Sequence, residues 1–119
     1  MKTPLNEKIK IKYMIKDLIA FQKLEDLTLA FYPVLTMFPK GEQFALAGDI
    51  KKEIYSISRL LIEINNTKQG RQNYYVLLNE EFDFLLYLIR LSNKLRFLSN
   101  KQYMRISEMI DEVVKICCG

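Results

Sequence analysis

The sequence predicts an all-α fold: an antiparallel, up-down-up-down four-helix bundle. Three observations predict it. Apolar residues recur at spacings of three and four in four separate stretches, which is a helix stripe and not strand alternation. Turn-forming residues punctuate the chain between those stretches. The links are short, so consecutive helices must double back on one another. With 119 residues, half of them hydrophobic and 27% charged, the chain is expected to fold as one domain, 1–119, around a single core.

The first helix carries Leu24, Leu27, Phe31, Val34 and Phe38 and stops at Pro39-Lys40-Gly41. Pro33 lies inside it and is expected to kink the axis, because proline lacks a backbone donor. Ahead of it, "KIKIKYMIK" alternates lysine with isoleucine and tyrosine. That period of two suits an edge strand or extended arm, so residues 1–13 are expected to form a basic N-terminal arm. The second helix carries Ile50, Ile54, Ile57, Leu61 and Ile64. Gly48, near its start, costs about 1 kcal/mol against alanine unless a neighbour approaches closely.

"NNTKQGRQN", residues 65–73, is the second turn. The third helix follows with Leu78, Phe82, Leu85 and Ile89, and a second seam at Phe84, Leu88, Leu91, Leu95 and Leu98. One apolar stripe suffices for a bundle, so the second predicts a partner copy against Phe84, Leu88, Leu91 and Leu95. The other reading is a broad core-facing surface wedged between two neighbours. In "LSNKQ", Ser99 can cap the fourth helix and Gln102 can complete a capping box. That helix carries Tyr103, Ile106, Ile110, Val113 and Cys117. Helices of this size predict a rod of about 30–40 Å.

Several function classes fall away. The chain has no histidine, which excludes a histidine triad, base or metal ligand. Its four glycines, at 41, 48, 70 and 119, have none of the spacings that cradle phosphate. Carboxylates such as Glu80 with Asp83, or Glu108 with Asp111 and Glu112, suit a solvated helix surface. No enzyme, cofactor or small-molecule substrate is expected. Cys117 and Cys118 are adjacent and have no histidine beside them, which suits one buried and one exposed thiol better than a disulfide or zinc site. The opening "MKTPLNEKIKIKYMIKD" is too charged for a secretory leader, and no apolar run is long enough to span a bilayer. A cytoplasmic location is expected.

What remains is binding. The net charge is +4, and residues 90–105 hold Arg90, Lys94, Arg96, Lys101 and Arg105 with no acid among them. Antiparallel helices bring Lys40 to the same end. Such a cluster suits phosphate, and it suits equally a solvated end that keeps an oligomer in solution. Residues 1–16 form a second basic block, five lysines against one glutamate.

The stretch "AFYPVLTMFPKGEQFALAGDIKKEIYSISRLLIEIN" resembles the helix-turn-helix signature of a bacterial four-helix-bundle superfamily. The residues that carry the likeness are Phe38, Pro39, Lys40, Gly41, Glu42, Phe44 and Leu46. One branch of that superfamily comprises the 23S rRNA-intervening sequence proteins. The other is Avd, the accessory variability determinant of diversity-generating retroelements. The chain is more similar to Avd. It has Ile50, Lys51 and Lys52 but neither the proline nor the Ala-Glu-Gly ending of the first branch. Its "LLYLIRLSNKLRFLSNKQYMRISEMIDEV" looks like Avd's passage from helix three to helix four.

The likeness covers residues 18–116. It departs at the terminus, "ICCG" standing where Avd-like chains often carry a Gly-Gly-Trp-like segment. The resemblance implies a non-enzymatic protein whose bundles assemble into a homo-oligomeric, pentameric barrel that binds RNA or DNA and the element's reverse transcriptase. Lys40, Lys51, Lys52, Arg90, Lys94, Arg96, Lys101 and Arg105 would supply its binding surface. The alternatives are an intervening-sequence-type bundle of unknown role, with ribosomal RNA as a candidate ligand, and a purely structural oligomeric scaffold.

Overall fold

Four helices account for nearly all of the chain: α1 (Leu5–Thr36), α2 (Leu46–Asn66), α3 (Arg71–Lys94) and α4 (Asn100–Cys118). This computed structural model describes the backbone of residues 5–67 and 69–118, and side chains from residue 16 onward over the same ranges. The described residues include no strand. Each helix packs on two others, α1 on α2 and α4, and α3 on α2 and α4.

The stripes on α2 and α3 are buried at every position: Ile50, Ile54, Ile57, Leu61 and Ile64 against Leu78, Phe82, Leu85 and Ile89. On α4 the stripe is buried from Ile106 to Cys117, with Tyr103 packed at its edge. On α1, Leu35 is the buried residue of the last turn and Val34 is only half-buried. Burying such side chains contributes about 1.5–3 kcal/mol each.

Two expectations fail at α1. The segment expected as an extended arm is helical from Leu5 onward. Lysine is a good helix former, and a strand needs a sheet to join, so local alternation loses to continuity with the helix behind it. Residues 1–4 of that arm, and the side chains of its lysines, lie outside the described residues. The molecule is also longer than expected, 59 × 23 × 18 Å, because a helix of 32 residues rises about 48 Å.

The turn after α1 closes through a residue that periodicity does not single out. Gln43 Nε2 donates to the carbonyls of Leu35 (3.0 Å) and Phe38 (2.8 Å), satisfying acceptors that the helix end leaves open. Pro39 opens a short 3-10 turn, Lys40–Glu42, and the Glu42 carboxylate accepts the Leu46 amide at 3.3 Å. A Cβ on Gly48 would stand 3.1 Å from the Gln43 carbonyl oxygen, so the glycine does serve a close approach. The fourth helix begins with the expected reciprocal cap: Ser99 N donates to Gln102 Oε1 at 3.0 Å, and Gln102 N to Ser99 Oγ at 3.1 Å.

Candidate nucleic-acid interface

Phe38 and Phe97 meet with ring centroids 5.6 Å apart. This contact sets the α1–α2 turn, with Lys40, beside the α3–α4 turn. Lys94 ends α3, Arg96 stands in the turn, and Lys101 lies in the first turn of α4; all are exposed. Arg90 and Arg105 lie about one helical turn further along their helices, also exposed. Lys51 and Lys52 stand apart on α2, where Lys51 Nζ lies 5.0 Å from the centroid of the Tyr32 ring. The ion pairs found among the described residues are Lys23–Glu112, Arg71–Asp17 and Lys115–Asp111. None uses one of these eight basic residues; seven of them are exposed, and Lys51 is half-buried against the Tyr32 ring.

The α3–α4 turn that carries the patch is closed tightly. Phe97 N donates to Ser92 O at 2.9 Å and Arg96 N to Asn93 O at 3.0 Å. This is the paired C-terminal closure that normally puts glycine in the left-handed position. Here Arg96 occupies it, with φ 67°. A side chain in that conformation costs about 1 kcal/mol or more. Asn93 Nδ2 braces the turn by donating to Leu98 O (3.1 Å) and Asn100 Oδ1 (2.9 Å). Beside it lies a shallow cleft of about 410 Å³ lined by Asn93, Lys94, Arg96, Leu98, Ser99 and Asn100. The arrangement can hold a polyanion by charge and amide hydrogen bonds.

The second seam of α3 divides. Leu88 is 6% exposed and Leu98 1%, both packed into their own bundle. Phe84 and Leu95 are about half exposed, and Leu91 is partly buried. Phe84 stacks on the exposed Tyr87 at 6.2 Å, so an apolar outer face does exist, but Leu88 is already spent on the core.

The opposite end handles charge differently. Asp17, buried on α1, is hydrogen-bonded to Arg71 Nη2 and accepts the Tyr75 hydroxyl at 3.0 Å. Between α2 and α3, Glu53 is 9% exposed and its Oε1 lacks a hydrogen-bond partner. Burial, with Glu81 beside it, pushes its carboxyl up to about 8. Burial likewise pushes the Cys117 thiol up to about 12, leaving it a poor nucleophile; Cys118 is half-buried, and both are free.

A family model described as bAvd-like matches residues 18–119. No curated protein matches the chain, and no solved structure does.

Proposed function

The chain belongs to the bAvd-like family, and on that premise we propose that it is a non-enzymatic adaptor. It binds RNA or DNA together with a reverse transcriptase, in support of mutagenic retrohoming by a diversity-generating retroelement. The observation that carries this reading is the cluster of exposed basic side chains, free of ion pairs, gathered at one end of the bundle. Phosphate neutralisation by such groups is the main source of nucleic-acid affinity. Arg96 supports the same reading, because a residue kept at a conformational cost points to a use for its side chain.

In this reading the helices run up-down-up-down. Phe38 meeting Phe97 at one end supports that order, as does Asp17 meeting Arg71 at the other. The working form is a homopentamer, with Phe84, Leu91 and Leu95 against a neighbouring copy, and it acts in the cytoplasm. No helix among the described residues is long and apolar enough to cross a membrane. The test is binding of short RNA and DNA measured beside light scattering on one sample. A pentamer that binds at low salt and lets go as salt rises is the expected result. An oligomer indifferent to nucleic acid at low salt would leave only a scaffold.

A further inference from the structure

Lys52, Tyr55 and Arg59 follow one another at spacings of three and four on the solvent face of α2, and all three are exposed. An aromatic ring thus stands between two cations, one helical turn from each. Tyr55 is 54% exposed, and its hydroxyl is hydrogen-bonded to that of Tyr32 across the α1–α2 seam. That bond holds Tyr55's phenol above its ordinary pKa. Lys51 lies against the Tyr32 ring. On the other side, Lys52, Tyr55, Ser56 and Arg59 form the α2 wall of a cleft of about 530 Å³, faced by Leu77 and Glu81 of α3.

We infer that this stripe is a second nucleic-acid contact, distinct from the basic end, and that it takes single strands. Cations alone would serve a duplex as well. An exposed ring needs an unpaired base to stack on, and rings alternating with cations are how single strands are held without regard to sequence. Lys52 and Arg59 meet successive phosphates while Tyr55 takes a base. The acids of the cleft, Glu63 and Glu81, keep the backbone to the cationic rim. Tyr32 is half-buried and takes no base itself. The inference rests on the nucleic-acid reading above, and it adds a place on the molecule and a strandedness.

The experiment uses the full chain and a fluorescein-labelled twelve-nucleotide probe as single-stranded RNA, single-stranded DNA and duplex DNA of one sequence. Wild type, Tyr55→Leu and Tyr55→Phe are compared by anisotropy, with circular dichroism confirming the fold of each. The stripe predicts that Tyr55→Leu weakens both single strands by about five- to a hundredfold. Tyr55→Phe keeps their affinity, and the duplex is unaffected. RNA and DNA respond alike if the ring reads only the base face; a loss confined to RNA would identify RNA as the strand held there.

An iodouracil-substituted strand supplies a readout of place. Its photo-crosslink should fall in the tryptic peptide Glu53–Arg59, which holds Tyr55 as its one tyrosine. Single-strand binding that ignores Tyr55→Leu, with crosslinks elsewhere, overturns the stripe and leaves the adaptor reading standing. A wild-type protein that binds none of the probes at low salt overturns both.

Discussion

The two ends of the bundle treat charge in opposite ways. At the end where α3 begins, Asp17, Arg71 and Tyr75 are hydrogen-bonded to one another in a partly buried network, and Lys16 lies 5.4 Å from the Tyr75 ring centroid. At the end where α3 stops, Lys40, Lys94, Arg96 and Lys101 are exposed and make no ion pair among the described residues. A paired, half-buried charge fixes helices against each other and offers little to a ligand. An unpaired, exposed charge adds little to stability and keeps its field for whatever approaches. In the function proposed above, one end holds the fold and the other binds.

The sharpest way to break this contrast is to reverse the second end. Arg90→Glu, Lys94→Glu, Arg96→Glu and Lys101→Glu combined should lower nucleic-acid affinity on the order of a hundredfold or more, with the helical circular dichroism unchanged. The reciprocal change is at the first end. Asp17→Asn leaves Arg71 without its carboxylate, and because Arg71 keeps some solvent access the loss should be about 2–3 kcal/mol of stability in urea. Nucleic-acid affinity should not move. If Asp17→Asn weakened binding as much as the reversal does, the division of labour would collapse.

A third case lies between the two. Glu53 is buried between α2 and α3 and avoids the cost of a buried charge by holding its proton. Its folded value, about 8, lies above the ordinary 4.5, so the native state binds a proton that the unfolded chain has released. That contribution to stability is complete below about pH 4.5 and is lost as pH rises through 8. Thermal melts of Glu53→Gln should therefore fall less steeply than wild type between pH 5 and 8. Equal slopes would mean that Glu53 is ionised in the folded protein.

The smallest effect is expected at Arg96. Arg96→Gly should stabilise the fold by about 1 kcal/mol, since glycine bears the left-handed conformation without strain. The same change should weaken nucleic acid a few-fold. A destabilised Arg96→Gly protein would show that the arginine serves the turn and not a ligand.

Much of this was legible beforehand, for identifiable reasons. The stripes of α2, α3 and α4 follow from helical periodicity. The Ser99–Gln102 cap is local, three residues apart, and appears in the structure as its spacing predicts. What periodicity could not reach was long-range or strained. Gln43 caps α1 from beyond the turn, and nothing in its neighbours marks it. Arg96 sits where glycine is the rule, so no rule points to it. Asp17 and Arg71 meet across 54 residues of chain. The lysine–isoleucine alternation in the first turns of α1 misleads, because a period of two means a strand only where a sheet waits to accept it. Tyr55 was within reach: a ring between Lys52 and Arg59 on a polar helix face is visible on a helical wheel. For the basic cluster, the sequence supplied the residues and placed them with Lys40 at one end, and the Phe38–Phe97 contact is what sets the two turns side by side.

The measurement that bears most directly on the binding end is the salt dependence of single-strand affinity for wild type and for the fourfold reversal. With several phosphates neutralised, log Kobs should fall against log salt with a slope near −0.7 for each contact. The wild-type slope should be about −3 or steeper, and the reversal should lose most of it. A shallow wild-type slope, or one that the reversal leaves intact, would contradict the assignment of binding to this end of the bundle.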